Sequence, residues 1–266
     1  MTAVDVPGTE AASEALLVEH RGRVAVLRLN RPRRRNAIDL PTAVLLSRAL
    51  DELDDTDELS VAVLTGSAEM FSAGMDLKAY SETGQRPVDE NRGGFGIVAR
   101  PPEKPIIAAV EGPALGGGFE IALACDLIVA GESATFGLPE VRRGLVASGG
   151  GMLRLSSRIP RNLAVEAALT GRPLTARRYA ELGLVNVVVP DGQALDAALE
   201  LAEEIAANAP LAVRATKAVM TRSQDWPVEE QFDRQEAVIG PVRTSQDARE
   251  GARAFAEKRA PRWQGR

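Results

Sequence analysis

Cysteine and histidine are almost absent: the 266 residues hold one of each, Cys125 and His20. A single cysteine excludes an intramolecular disulfide, and the two residues cannot supply a zinc site built on Cys and His. A Ser-His-Asp or Cys-His unit would have to use His20, which stands near the N-terminus beside Arg21-Gly22, so nucleophilic catalysis of that kind is not expected. Acid–base chemistry therefore falls to carboxylates. Lysine is scarce too, limited to Lys78, Lys104, Lys217 and Lys258, a compositional bias with no functional meaning of its own. No apolar run is long enough to span a bilayer. The first 15 residues carry Asp5, Glu10 and Glu14 but no basic residue, unlike a signal or transit peptide, so a cytoplasmic protein is expected. A net charge of −5 gives no electrostatic footprint for nucleic acid or an anionic membrane as main partner.

What is present is ordinary core material, 45% hydrophobic and 26% charged residues, enough for one large domain or a main domain with a small appendage. Residues 1–13 look like a loose tail. Leu16 to His20 and Val24 to Leu29 read as a strand pair, and Arg31 to Asn36 as an exposed, solvated basic loop. Leu40 to Leu53 has helical spacing, and Val61 to Thr65 is a compact apolar strand. Phe71 to Lys78 reads as strand, glycine turn and polar start. Residues 81–104, polar and rich in Gly and Pro, read as a mobile segment. Beyond a strand at Leu127 to Ala130, Phe136 to Glu140 lies on a loop and Gly149 to Gly151 opens a helix to Arg158. Helices at 161–170 and 176–182 and a strand at 185–189 follow. From Ala194 the pattern is helical only, punctuated by Pro210, Pro227 and Pro241. Alternation of strand and helix followed by helices alone predicts an α/β core over 14–193 and a helical C-terminal region over 194–266. Neither G-x-G-x-x-G after a strand nor G-x-x-x-x-G-K-[ST] occurs, so dinucleotide and P-loop sites are unsupported.

One stretch organises the rest. Pro105 to Val110 is a short apolar run, Gly112-Pro113 a turn signal and Gly116-Gly117-Gly118 a triple glycine. Phe119 to Cys125 is then apolar on every helical face except at Glu120. A helix apolar all round is buried. Its first N–H groups lack intrahelical partners, and glycines let a foreign oxygen approach them, as an oxyanion site requires. A carboxylate on a buried helix must be hydrogen-bonded or have its pKa raised toward the range useful for proton transfer. Taken alone, the same stretch fits equally well a first-turn capping Glu and glycines that serve close packing.

Three stretches together resemble the crotonase (enoyl-CoA hydratase/isomerase) superfamily: Phe71-Ser-Ala-Gly-Met-Asp-Leu-Lys78, Gly112-Pro-Ala-Leu-Gly-Gly-Gly-Phe-Glu-Ile-Ala-Leu-Ala-Cys-Asp126 and Phe136-Gly-Leu-Pro-Glu140. Leu29-Asn-Arg-Pro with Asn36-Ala37, Leu169-Thr-Gly-Arg172 and the closing Ser245 to Arg259 agree in order and spacing. The resemblance runs from about Leu16 to the C-terminus. It implies a crotonase-like α/β spiral of ββα units with a helical C-terminal region, assembled as a homotrimer or dimer of trimers. It also implies an acyl-CoA thioester substrate, with no cofactor beyond the coenzyme A of the substrate, and no nucleic acid or membrane partner.

By motif position the resemblance assigns two backbone N–H groups, of Met75 and Gly117, to hold the thioester oxygen. It assigns Glu120 to water activation and Glu140 to proton exchange at the α-carbon. The opposite sharing is open, because neighbouring carboxylates titrate as a pair. For Glu140 alone, a helix-start carboxylate after Pro139 is the plainer alternative. Arg33 and Lys78 match positions holding the CoA phosphates, although a solvated surface role fits each nearly as well. Ala37, Ile38, Ala73, Asp76, Leu77 and Gly116 match the walls around the adenine, pantetheine and thioester. Phe255 and Lys258 match C-terminal residues that close the site, often on a neighbouring subunit. Two glutamates imply a (2E)-enoyl-CoA hydratase; a carnitinyl-CoA-type dehydratase shares both, and a non-catalytic binding protein of this fold needs neither. Gly144-Leu-Val-Ala-Ser-Gly-Gly-Gly151 departs from the family's usual Pro-Gly-x-Gly-Gly. Together with a variable part holding few aromatics (Tyr80, Phe95), this leaves the acyl preference open.

Overall fold

The computed structural model describes residues 15–266, and the tail expected over 1–13 lies outside them. Strands β1 (Leu16–Arg21) and β2 (Val24–Leu29) pair antiparallel across a turn in which Gly22 takes φ +58°, a left-handed value glycine adopts without a Cβ penalty. Helix α1 (Leu40–Asp55) starts where Asp39 accepts the Thr42 N–H, and it buries Leu46, Leu50 and Leu53 on one face. Strand β3 (Val61–Thr65), helix α2 (Leu77–Thr83) and the short pair β4 (Val88–Asp89) and β5 (Gly93–Gly94) follow. Then come β6 (Ile106–Val110), β7 (Pro113–Leu115), α3 (Gly117–Ala124), β8 (Leu127–Gly131) and β9 (Thr135–Gly137). Helices α4 (Gly151–Arg158) and α5 (Arg161–Thr170), β10 (Leu174–Thr175), α6 (Ala176–Glu181) and β11 (Val187–Val189) complete the alternating part. The remainder is helical: α7 (Ala194–Ala206), α8 (Pro210–Arg222), α9 (Gln231–Arg243) and α10 (Gln246–Glu257).

The large sheet has the order β1-β2-β3-β6-β8-β11 and is parallel apart from the β1–β2 hairpin. Its inner strands are buried on both faces, which is why they read as unbroken apolar runs instead of alternating ones. After β2, β3, β6 and β8 the chain makes a second extended rung before the next α-helix. The rungs are Ile38 after β2, Ser72–Met75 after β3, β7 after β6 and β9 after β8. They are joined by the parallel bridges Ile38–Met75 and Ser72–Ala114 and by β7–β9 pairing. This is the spiral of ββα units that the family resemblance implied.

Two cores result. One face of the sheet (Val61, Val63, Ile107, Ala109, Val129) is covered by α7 through Ala194, Ala198, Leu199 and Ala202, so the first C-terminal helix belongs to the main core. The other face packs on α3, whose residues are all buried, and on α1. Helix α8 is fastened to the core by Lys217, which donates to Asp126 at 2.6 Å and to the Lys104 carbonyl at 2.9 Å.

Several local expectations are corrected. Of the turn expected at Gly112-Pro113, Pro113 instead opens strand β7, because residues 113–115 pair with 135–137. Pro241 lies inside α9, not after a helix; in the last turn it removes only one hydrogen bond. The basic loop after β2 is a short 3-10 turn (Pro32–Arg34), and Arg31 is not solvated but pairs with Asp39 and Asp76. Residues 81–104 are not a loose excursion, as described below.

Candidate active site

The rung Ser72–Met75 and the start of α3 meet at Gly74. Ile38 N–H donates to the Gly74 carbonyl at 2.7 Å, and Asp76 N–H donates to the Ile38 carbonyl at 2.9 Å. In an extended chain alternate peptides face opposite ways, so the Met75 N–H is turned away from Ile38. Gly74, at φ +85°, backs directly onto α3: a Cβ there would lie 2.6 Å from the Gly117 nitrogen. Only glycine allows that approach. Gly117 is the first residue of α3, where an N–H has no intrahelical partner. Among the described residues, neither the Met75 nor the Gly117 amide donates to a protein acceptor. Two free donors thus share one wall of a cleft and can hold an oxygen there.

Glu120 sits one turn into α3 and is 2% exposed. It does not cap its own helix. Oε1 accepts the Gly149 N–H at 2.7 Å and the Gly151 N–H at 2.9 Å. The glycine run Gly149-Gly150-Gly151 is therefore the cradle of this carboxylate. Gly150, in left-handed conformation at φ +83°, turns the chain so that its neighbours' amides face one oxygen. Arg154, in the first turn of α4, donates to the Gly149 and Val98 carbonyls and adds positive charge nearby. Burial raises the pKa of Glu120, while the two amides and Arg154 oppose that shift and favour the ionised form.

Glu140 reaches the same cleft from the opposite loop. It lies in the 3-10 turn Pro139–Arg143, held by the β9 rung before it. Its Oε1 is 3.0 Å from where a Cβ on Gly116 would stand, so the carboxyl packs against the triple glycine. Oε2 is buried and has no hydrogen-bond partner among the described residues. Burial raises this pKa too; its own backbone amide and Arg143 oppose the shift, and the negative charge of Glu120 adds to it. Both glutamates are thus raised, but for Glu140 the neighbouring carboxylate works in the same direction as burial.

The cleft has a volume of about 670 Å³. Of the residues expected at the site, Ala73, Met75, Leu77, Gly116, Gly117, Glu120 and Glu140 line it. Ala37 and Ile38 are buried behind it. Asp76 turns away: its carboxylate caps α2 through the Ala79 N–H and pairs with Arg31 at 3.0 Å, a structural task that lowers its pKa against the pull of burial. Arg33 and Lys78 are exposed and do not line the cleft, Lys78 lying 4.0 Å from Glu82. Phe255 and Lys258, at the end of α10, are exposed and do not line the cleft of their own chain. A second cavity of about 620 Å³ lies along α10; Arg259 pairs there with Glu250 at 2.6 Å, Asp247 accepts the Gln264 and Gly265 amides, and Arg249 donates to the Thr244 carbonyl.

Sequence reasoning missed how the cleft is walled. Phe95, noted only as one of few aromatics, enters it and rests on Gly117 and Gly149, where a Cβ would meet its ring. The segment bearing it is tied to α1. Arg92, 2% exposed, pairs with Asp51 at 2.8 Å and Asp54 at 2.9 Å and donates to the Arg100 carbonyl at 3.0 Å. Asp89 accepts the Ser47 hydroxyl at 2.6 Å. The acidic cluster near the end of α1 was the available signal for an anchor, but its arginine partner lies some forty positions away in sequence.

Comparison with known proteins agrees with this geometry. The family model described as enoyl-CoA hydratase/isomerase matches residues 19–266. The chain is similar to the enoyl-CoA hydratase EchA19 of Mycobacterium tuberculosis, 44% identical over 94% of this chain and 96% of that protein. It is also similar to the carnitinyl-CoA dehydratase of Salmonella typhi, 41% identical over 96% and 100%. The crystal structure of an enoyl-CoA hydratase from Mycobacterium tuberculosis H37Rv superposes with a TM-score of 0.93 at 54% identity, covering 95% of this chain and 100% of that one. Matched over almost its whole length in sequence and in fold, the chain belongs to the enoyl-CoA hydratase/isomerase family, the crotonase superfamily.

Proposed function

We propose that the chain is a (2E)-enoyl-CoA hydratase that adds water reversibly across the conjugated double bond to give a 3-hydroxyacyl-CoA. The thioester oxygen accepts hydrogen bonds from the Met75 and Gly117 amides, which stabilise the enolate as negative charge develops. Glu120 takes a proton from water as the oxygen attacks the β-carbon. Glu140 delivers a proton to the α-carbon as the enolate collapses. One water is consumed, and the pair ends with its proton exchanged between the two carboxyls, to be reset through solvent. The observation that carries this reading is the asymmetry of the two glutamates. Glu120 has two amide donors and a nearby guanidinium that favour its ionised form; Glu140 has a buried oxygen without a donor and a like charge beside it, which favour its protonated form. Opposed environments of this kind separate a base from an acid at one pH.

In the same reading Arg33 and Lys78 hold the CoA phosphates, and Ala37, Ile38, Ala73, Leu77 and Gly116 flank the adenine, pantetheine and thioester. Asp76 supports that wall by fixing α2. Phe255 and Lys258 reach the cleft of a neighbouring copy, in a homotrimer or dimer of trimers. Support for assembly comes from exposed apolar side chains on α8 to α10 and the turn between them, Met220 (69%), Val228 (78%), Phe232 (80%) and Phe255 (88%), which a partner would cover. The reaction requires no cofactor besides the CoA of the substrate. No helix among the described residues is long and apolar enough to cross a membrane, and a lone buried cysteine suits a reducing compartment such as the cytoplasm.

A carnitinyl-CoA-type dehydration is the second reading, favoured by the Salmonella relative. The charged side chains lining the cleft besides the two glutamates are Arg86 and Arg143, which repel a trimethylammonium group. The deciding experiment is loss of enone absorbance when the purified protein meets crotonyl-CoA, run beside crotonobetainyl-CoA. Rapid loss with the first and little with the second is expected; the reverse order would replace the hydratase assignment.

A further inference from the structure

Phe95 occupies an unusual position. Its backbone is left-handed at φ +56°, rare for a residue with a large side chain, between Gly93 at +75° and Gly96 at +76°. Such conformations persist only where the surroundings over-determine them, and here they do. The Phe95 N–H donates to the Pro87 carbonyl at 2.6 Å. Gly96 abuts the Ala43 carbonyl of α1 with no room for a Cβ. Arg92 and Asp89 fasten one side of the segment to α1, and Arg154 of α4 holds the Val98 carbonyl on the other at 2.5 Å. The ring, only 9% exposed, points its edge at Gly117 and Gly149.

Those two glycines carry the amide assigned to the thioester oxygen and the amide that holds Glu120. The ring therefore spans the gap between the carbonyl anchor and the water-activating acid. Carbons of the acyl group beyond the reacting pair must run along it. A side chain on a hinged lid could swing aside for a long chain; one pinned from α1 and α4 cannot.

We propose that Phe95 is the specificity-determining residue of this cleft, a fixed aromatic wall that restricts the enzyme to short acyl chains. The inference rests on the hydratase reading for its substrate class, and Arg92 acts in it as a positioning residue.

The test is a chain-length ladder. Wild-type kcat/KM is measured for crotonyl-, (2E)-hexenoyl-, (2E)-octenoyl- and (2E)-decenoyl-CoA. Dissociation constants are measured at equilibrium for the saturated butyryl, octanoyl and decanoyl esters. Efficiency is expected to fall at least about tenfold from crotonyl to decenoyl, with binding weakening in parallel. In Phe95→Ala the decenoyl-to-crotonyl ratio rises at least about tenfold, mainly through a lower KM for the long ester, and Phe95→Leu falls between. A wild-type ladder that is flat or climbs with length, or a ratio unchanged in both variants, overturns the proposal. The two readings fail differently. No hydration of any ester removes the hydratase assignment while the binding ladder of the saturated esters still reports the wall. Hydration that ignores chain length removes the wall alone.

Discussion

The Gly149 amide donates to Glu120 Oε1 at 2.7 Å, joining the glycine run before α4 to the one acidic residue of the buried helix α3. With Gly151 on the same oxygen at 2.9 Å, one oxygen of the carboxylate is committed to being held. No protein donor reaches the other among the described residues. A carboxylate fixed by one oxygen and free at the other is positioned to act on a proton.

Glu120→Gln and Glu140→Gln should each lower crotonyl-CoA hydration by about 10²–10⁴-fold, because each removes one proton-transfer partner. Thioester binding, held by backbone amides, should persist in both, as equilibrium binding of butyryl-CoA can show. Exchange of α-protons of butyryl-CoA with deuterated solvent separates the roles, since a saturated ester offers only that step. It should survive in Glu120→Gln and vanish in Glu140→Gln. The opposite pattern would reverse the two assignments.

The pH profile of kcat/KM should be bell-shaped. Activity rises as Glu120 loses its proton and falls as Glu140 loses its own, the two limbs belonging to the coupled pair. Burial raises both groups, so the acid limb should lie above the ordinary glutamate range. The Arg143 charge lowers the Glu140 value, so Arg143→Gln should move the alkaline limb to higher pH. A limb that stays in place, or moves down, contradicts the assignment of Glu140 as the acid.

Gly149→Ala introduces a Cβ 2.8 Å from Glu120 Oε2 and 3.0 Å from Phe95 Cε2, displacing the carboxylate it should hold. A shift of about 1 Å in a reacting group costs roughly 10²-fold in rate. The loss should fall on kcat, with KM for crotonyl-CoA little changed. An equal loss in KM alone would mean that the glycine serves binding and not the orientation of Glu120.

Arg92→Met leaves Asp51 and Asp54 facing each other without their buried cation. Asp51 is partly exposed and keeps Arg100, and Asp54 keeps the Glu103 and Lys104 amides, so losing these charge-assisted bonds costs about 2 kcal/mol, measurable as a shift in the urea midpoint. If the urea midpoint stays within error of wild type, the segment bearing Phe95 is not anchored by this cluster.

Much of the fold was legible because its signals are local. The all-apolar runs of β3 and β6 announce strands buried on both faces, and the helical spacing of Leu40 to Leu53 announces α1. Other features depend on partners distant in sequence. Pro113 looks like part of a turn until residues 135–137 lie beside it, and the Asp76 carboxylate looks free for a ligand until Arg31 is found against it. The segment 81–104 looks loose because Gly, Pro and polar residues lack hydrophobic periodicity. Its anchoring is ionic, through a buried arginine that no local pattern reveals.

The sequence by itself determined the family, the alternation of strands and helices and the two acidic positions, since motif spacing and apolar periodicity are written along the chain. Only the tertiary structure decided what each acid experiences. Whether a carboxylate faces two loop amides and a guanidinium, or keeps a buried oxygen without a donor beside another carboxylate, depends on which loops fold together around it. The pKa, and hence the division into base and acid, follows from that three-dimensional neighbourhood and not from the residue type.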